Sequence, residues 1–165
     1  MVDSIVQSIV EMFLGTVPKA LIVFFVSMLP ILELRGSILA AGFLKMEFLS
    51  TFTIAVIGNM LPIPFVLLFL NKIFDWMKKT RLRKAALWLE NKAMKKSDQI
   101  RRYGKFGLFL FVAVPLPGTG AWTGSMIAAL LRMRTRDALP WIFLGVVAAG
   151  LVMSLLAFGI IKQVI

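Results

Sequence analysis

The chain has 165 residues, 59% of them hydrophobic, and a mean hydropathy of +0.89. Soluble domains average about 45–50% apolar residues, so lipid must cover the excess in so short a chain. Cysteine and histidine are both absent from the sequence, which excludes disulfides, thiolate or imidazole metal sites and nucleophile–histidine catalysis. We therefore expect a membrane protein that is not an enzyme and that has no metal site and no cofactor.

The net charge of +11 is concentrated in a few places. Twelve of the 19 Lys and Arg residues lie between Lys72 and Lys105, and three more are Arg132, Arg134 and Arg136. Such a charge would suggest nucleic acid in a soluble protein, but membrane proteins gather basic residues on their cytoplasmic side. We predict a multi-pass protein of the cytoplasmic membrane, with segment 72–105 cytoplasmic and no nucleic-acid partner.

Two long apolar segments are interrupted in the middle. Residues from Ala20 to Leu44 are interrupted by the first break, Pro30 to Gly36, and residues from Phe106 to Leu131 by the second break, Pro115 to Gly120. Each segment could be a kinked spanning helix or a re-entrant hairpin, because proline and glycine disrupt helix interiors. Basic clusters flank the second segment on both sides, so the positive-inside rule favours a hairpin that enters and leaves on one side.

The remaining apolar stretches read as ordinary helices. Spans are predicted from Phe48 to Ile73 and from Leu139 to Ile161, the first running inward and the second outward, with both termini outside. Residues from Val2 to Val17 have the spacing of an amphipathic helix at the membrane interface. Residues from Lys78 to Arg102 predict a basic helix on the anionic inner leaflet.

The two halves of the chain align with a constant offset of 87 residues and no gap. Pro30 pairs with Pro117, Lys45 with Arg132 and Gly58 with Gly145. The fold class predicted is an all-α integral membrane protein with an inverted-topology repeat of amphipathic helix, re-entrant hairpin and transmembrane helix. Its parts are repeat 1 (about 1–73), a basic cytoplasmic helix (about 74–102) and repeat 2 (about 103–165), within one membrane domain.

Glu33 and Arg35 are the only charged residues in the middle of either hairpin. Ionisable residues at membrane depth are costly and mark substrate or ion pathways. Glu33 is therefore the candidate for ion coupling, and the Arg35 guanidinium suits a carboxylate or phosphate. The structural alternative is a mutual salt bridge that holds the first break together.

The remaining candidates surround the two breaks. Half-helix N-termini present unpaired N–H groups that favour an anion, although glycines there could simply allow close packing. Asn59 lies at the same height in its span and could hydrogen-bond to a break rather than to substrate. The substrate- or ion-binding residues predicted in addition to Glu33 and Arg35 are Gly36, Ser37, Asn59, Pro117, Gly118, Thr119, Gly120 and Thr123.

The stretches Leu29 to Ser37, Tyr103 to Gly107 and Pro115 to Gly120 resemble the small multidrug export family, a distant branch of the DedA superfamily. The resemblance implies an inverted repeat of amphipathic helix, hairpin and span. It also implies movement of lipids such as undecaprenyl phosphate, coupled to an ion gradient. The superfamily pattern has arginines around its second break, whereas Val114 and Gly120 occupy those places here.

Three functions follow as hypotheses. The first is H⁺- or Na⁺-coupled translocation of an anionic membrane lipid such as undecaprenyl phosphate, with Glu33 as the coupling carboxylate and Arg35 as the anion contact. The second is small multidrug efflux, with Glu33 as the counter-charge for a cationic drug. The third is a structural or lipid-scaffolding protein without turnover. Four hydrophobic units make a small body for a transporter, so we also expect a homodimer.

Overall fold

The computed structural model describes residue 8, residues 17–116 and residues 118–164. The predicted amphipathic helix of Val2 to Val17 thus lies almost entirely outside the described residues. Within them every regular element is an α-helix, which confirms the all-α prediction for this part of the chain. The helices are α1 (Lys19–Met28), α2 (Glu33–Phe43), α3 (Phe48–Met60), α4 (Ile63–Lys78), α5 (Arg83–Met94), α6 (Asp98–Ala113), α7 (Ala121–Leu130) and α8 (Thr135–Val164).

The chain divides into two compact units. The first unit is Met1–Leu61 with Val146–Ile165, and the second unit is Pro62–Gly145. The predicted first span is interrupted beside Pro62, which has no N–H to continue the helix, so α3 ends and α4 begins there. The boundaries between the units fall within the two long apolar stretches. In each stretch the first half belongs to the same unit as the preceding hairpin, and the second half belongs to the other unit.

Both stretches have the dimensions of a membrane span. Residues Phe48–Leu70 and Thr135–Ala157 are each long and apolar enough to cross a bilayer. The helices α1, α2 and α7 are much shorter, at 10, 11 and 10 residues. At 1.5 Å per residue they measure about 15 Å, half the hydrocarbon thickness of about 30 Å.

The first broken segment folds back on itself. The Lys19 Nζ atom, at the start of α1, donates a hydrogen bond of 2.9 Å to the carbonyl oxygen of Leu44, just after α2. A continuous helix would separate these residues by more than about 30 Å. The helices α1 and α2 pack together as a hairpin, and its break narrows to residues 29–32 because α2 begins at Glu33.

The second broken segment also folds back. A Cβ atom on Gly124 of α7 would lie 2.7 Å from Val112 Cγ2 and 3.4 Å from Leu108 Cδ1, both on α6. Gly104, with φ of +58°, separates the first turns of α6 from this hairpin arm. An ion pair of 2.8 Å between Lys105 Nζ and Asp137 Oδ1 joins the base of the hairpin to the start of α8.

The two hairpins end in the same local geometry, 87 residues apart. Lys45 and Arg132 each adopt a left-handed backbone just after a helix, with φ of +52° and +54°. The N–H groups of Met46 and Met133 donate to the carbonyls of Ala41 and Ala128, at 3.1 and 2.9 Å. Both ends are Schellman caps, in which a basic residue occupies the position usually taken by glycine.

The first arms of the hairpins follow a different offset. The buried residues of α1 are Ile22, Val23, Val26 and Ser27, and those of the arm in α6 are Gly107, Leu108, Phe111 and Val112. These sets lie 85 positions apart, so the constant offset of 87 without a gap is wrong for the first arm. The cause is the longer connection of the second hairpin, which runs through residues 114–120.

Each span packs against its own hairpin through a glycine. A Cβ on Gly58 of α3 would lie 2.7 Å from the Phe24 carbonyl oxygen and would also meet Ser27 Oγ. A Cβ on Gly145 of α8 would lie 3.0 Å from the Phe109 carbonyl oxygen and 2.7 Å from Val112 Cβ. The contacted residues again differ by 85, so the same close helix approach occurs in both units.

The basic segment is not one surface helix. It forms α5 and the first turns of α6. The helix α5 packs against α4 and α7, and its buried residues are Ala86 and Ala93. Lys78 and Glu90 form an ion pair of 2.7 Å that ties α4 to α5. The segment is thus part of the second unit rather than a separate element lying beside it.

Candidate functional site

Glu33 is the most unusual residue of the first hairpin. It is the first residue of α2, is 7% exposed and has φ of +50°. A non-glycine residue in left-handed backbone costs about 1–2 kcal/mol. The corresponding residue 87 positions later is Gly120, which also has a positive φ, of +135°. The first hairpin thus has a carboxyl group at the position where the second has glycine, the residue that adopts a positive φ most readily.

Arg35 lies close enough to Glu33 for a direct electrostatic interaction between their charges. Residues two apart do not face each other along a regular helix, and the left-handed Glu33 departs from regular helix geometry. The Arg35 side chain is half-buried, whereas Glu33 is almost fully buried. The pair therefore places one acid and one guanidinium at the start of α2, both within the first unit.

Gly36 and Ser37 differ from their predicted roles. The prediction of unpaired N–H groups is wrong for Gly36, whose N–H donates to the Leu32 carbonyl at 2.8 Å because α2 begins three residues earlier. The Ser37 hydroxyl is buried and donates to the Leu34 carbonyl at 2.9 Å. Both residues therefore shape the first turn of α2, and the hydroxyl oxygen of Ser37 still has lone pairs to accept a hydrogen bond.

The second break is a loop held together by Thr119. Its Oγ1 atom lies 2.7 Å from the Val114 carbonyl and 2.8 Å from the Leu116 carbonyl, and it accepts from the Leu116 N–H at 3.3 Å. Gly118 has φ of +77°. Pro117 lies outside the described residues. The half-buried Thr123 lies in the first turn of α7, and all these residues belong to the second unit.

A lysine that the sequence pattern did not predict reaches this loop. Lys96 Nζ donates a hydrogen bond of 2.8 Å to the Gly118 carbonyl, from the connection between α5 and α6. The second break therefore has a cation beside it. The contact joins residues 22 positions apart, so a local sequence motif could not reveal it.

Buried polar side chains are concentrated in the first unit. Among the described residues its buried polar or charged side chains are those of Ser27, Glu33, Ser37, Thr51, Asn59 and Ser154, whereas the second unit has Ser97 and Ser125. The repeat-related positions are Val112, Gly120, Gly124, Ala138, Val146 and Leu67, all of them apolar or glycine and all buried. The same local packing is thus achieved without polar groups, so the fold alone does not require them.

Asn59 belongs to this polar set and has an unsatisfied atom. Its Oδ1 atom has no hydrogen-bond partner among the described residues, and the same holds for Thr51 Oγ1 and Ser154 Oγ. The predicted hydrogen bond from Asn59 to a break is thus not made by its oxygen within the described part of the chain. Thr51 and Ser154 were not predicted. The alignment of the two repeats contains a signal for them, because it pairs each with an apolar residue, Ala138 and Leu67.

Two broken hairpins, each followed by a helical stretch that is long and apolar enough to cross a bilayer, define a small helical membrane protein. The sequence profile of the family described as "Putative small multi-drug export protein" matches residues 33–152. The chain belongs to this family, and the match begins at Glu33 and includes the whole second unit. No curated protein and no solved structure matches the chain.

Proposed function

We propose that this protein is an ion-coupled transporter, not an enzyme, that moves an anionic lipid such as undecaprenyl phosphate across the cytoplasmic membrane. The observation that supports it best is Glu33, a buried carboxyl group kept in left-handed backbone at the break of a hairpin. Strained residues of this kind persist where the surrounding structure enforces them, and they cluster at functional sites. A buried carboxyl that can gain and lose a cation or proton is the part that coupling requires.

Cations at both breaks support an anionic substrate. Arg35 lies next to Glu33 in the first unit, and Lys96 lies beside Gly118 in the second. The helix α7 begins directly after the second break, and the N–H groups at a helix N-terminus favour negative charge. Each unit, taken by itself, therefore offers one cationic side chain suited to a phosphate headgroup.

The membrane arrangement proposed is an inverted repeat. The basic residues of segment 72–105 and of Arg132, Arg134 and Arg136 would lie in the cytoplasm. The second hairpin would then enter from the cytoplasmic side and the first from the opposite side, with both termini outside. Arms of about 15 Å reach roughly the middle of a bilayer of about 30 Å, which suits hairpins that re-enter without crossing.

Drug efflux is the second candidate, favoured by the description of the family. In that case Glu33 would balance the charge of a lipophilic cation, because membrane carboxylates attract cationic ligands. The cations Arg35 and Lys96 count against this alternative, since they would repel such a substrate.

Binding to the purified protein in nanodiscs distinguishes the two candidates. We expect undecaprenyl phosphate to bind and tetraphenylphosphonium not to bind. Replacing Arg35 or Lys96 by glutamine should weaken phosphate-lipid binding by about tenfold or more, because a charge-assisted hydrogen bond contributes about 1.5–3 kcal/mol. Lys92→Gln is the matched control. Lys92 belongs to the same basic segment, but its Nζ atom lies over the Trp88 ring, 4.6 Å from its centroid.

The control variant should change the affinity less than about twofold, because an exposed charge contributes little. Binding of the phosphonium cation without binding of the phosphate lipid would contradict the lipid proposal and favour efflux. Equal losses in Lys96→Gln and Lys92→Gln would reduce the role of Lys96 to general surface charge.

A further inference from the structure

Three buried oxygen atoms in the first unit lack hydrogen-bond partners among the described residues. They are Thr51 Oγ1, Asn59 Oδ1 and Ser154 Oγ, in side chains whose residues are 0%, 2% and 1% exposed. A buried polar atom left unsatisfied destabilises a folded protein, because its hydrogen bond to water is lost and not replaced. Ordered internal water is the usual partner of such atoms in folded proteins. The first unit therefore has the groups that internal water would satisfy.

The packing of the first hairpin against α3 shows where Asn59 and Thr51 lie between the base of the hairpin and its break. Lys19 and Leu44 mark the base of the hairpin, and residues 44–47 lead from that base into α3. At the other end, Gly58 packs against Ser27, which lies next to the end of α1 at the break. Asn59 therefore lies at the level of the break, as Glu33 does. Thr51 lies near the base, about 12 Å away along the helix.

Thr51 and Asn59 share one buried face of α3 with Ala55, because residues four apart lie on the same side of a helix. The second half of α8 closes this region. A Cβ on Gly150 would lie 2.8 Å from Phe52 Cε2 and 3.3 Å from Leu34 Cδ1, and Ser154 follows one turn later. The three orphan oxygens thus lie on α3 and α8, which approach each other beside Leu34 of α2.

We propose that these oxygens hold a chain of internal waters that runs from the base of the first hairpin to Glu33 and conducts protons to its carboxyl group. This inference rests on the proposed function in so far as Glu33 is the coupling residue, and it names the coupling ion as H⁺. A proton that enters the chain at the base displaces another along it, and the last is taken up by the Glu33 carboxylate.

The spacing of the oxygens is what favours water over a bound metal cation. Oxygen ligands lie about 2.3–2.6 Å from a cation such as Ca²⁺, so atoms about 12 Å apart along one helix cannot share one ion. Several waters can bridge that distance. The repeat-related residues Ala138, Val146 and Leu67 are buried and apolar, so packing at such positions does not need these oxygens.

Radiolytic hydroxyl-radical footprinting of the protein in nanodiscs tests for the waters. X-rays split bound water into radicals that modify the side chains beside it. The probe is Leu34, which lies beside Gly150 in the first unit. The control is Leu108, an equally buried leucine that lies beside Gly124 in the second unit. We expect Leu34 to be modified severalfold faster than Leu108. Equally slow modification of both leucines would overturn the inference.

A triple variant tests the same waters and their conduction of protons. Thr51→Ala, Asn59→Val and Ser154→Leu together introduce the residues that the chain has at the repeat-related positions Ala138, Val146 and Leu67. We expect Leu34 modification to fall to the level of Leu108, and deuterium exchange of the Glu33 carboxyl, followed by infrared spectroscopy with Glu33→Gln as the reference, to slow severalfold. Unchanged exchange would overturn the proton path.

The single variant Asn59→Val serves if the triple variant does not fold, with the same two readouts expected to change in the same directions. Both readouts are independent of the substrate. If the protein does not bind the phosphate lipid, the result therefore contradicts the proposed function alone. If Leu34 is modified as slowly as Leu108, the result contradicts only the water chain.

Discussion

Glu33→Gly is expected to abolish lipid transport while leaving the protein at least as stable as the wild type. The variant removes the carboxyl group, but glycine adopts the φ of +50° without the cost of about 1–2 kcal/mol that a side chain incurs there. Glycine also lowers the free energy of unfolding by about 0.5–1 kcal/mol, because it makes the unfolded chain more flexible. The relief of strain offsets this loss. Undecaprenyl phosphate flipping in proteoliposomes and thermal unfolding measure the two effects.

Glu33→Ala and Glu33→Gln are the matched controls for this variant. Both remove the charge but keep a side chain on the strained backbone, so both should be inactive and less stable than Glu33→Gly. Wild-type flipping by any of the three variants would remove Glu33 from the mechanism. A glycine variant that unfolds below the alanine variant would contradict the assignment of strain to this position.

Gly58→Ala is expected to destabilise the protein by about 1–3 kcal/mol, the usual cost of overpacking. Alanine in the middle of a helix would otherwise stabilise it by about 0.5–1 kcal/mol. A loss of stability therefore indicates that α3 lies close to α1, where the new Cβ would be 2.7 Å from the Phe24 carbonyl oxygen. A gain in stability would indicate that the helices are farther apart. Thermal unfolding of the purified variant in detergent measures it.

Two variants separate close packing from other causes. Gly145→Ala should behave like Gly58→Ala, because its Cβ would lie 3.0 Å from the Phe109 carbonyl. Gly104→Ala should cost no more than about 1–2 kcal/mol, since nothing lies within 4 Å and only its φ of +58° opposes a side chain. Wild-type stability in both Gly58→Ala and Gly145→Ala would show that the spans do not approach their hairpins this closely.

The hairpins themselves could be predicted from the sequence. Proline and glycine in the middle of an apolar run indicate where a helix must stop, and the ends of α1 and α6 lie beside Pro30 and Pro115. The basic residues Lys45 and Arg132 also marked the two hairpin ends correctly, because they occupy equivalent caps. Local signals of this kind are strong because they act on the backbone directly.

Features that depend on tertiary contact could not be predicted in this way. The offset of 85 in the first arms was missed because matching apolar residues conceal a longer connection in the second hairpin. Lys96 was missed because its contact with Gly118 is distant in sequence. Thr51 and Ser154 were missed because single hydroxyl groups in apolar helices often bond to their own backbone, and only the structure reveals that these two do not.

The orientation of the two hairpins is the central claim, and labelling from each side of the membrane tests it most directly. The chain has no cysteine, so single substitutions with cysteine introduce the only reactive thiol. We expect Lys105→Cys and Arg134→Cys to react with an impermeant reagent from the cytoplasmic side, and Lys19→Cys and Glu47→Cys to react from the opposite side. Labelling of positions 105 and 134 from different sides would contradict a re-entrant second hairpin and the transport mechanism built on it.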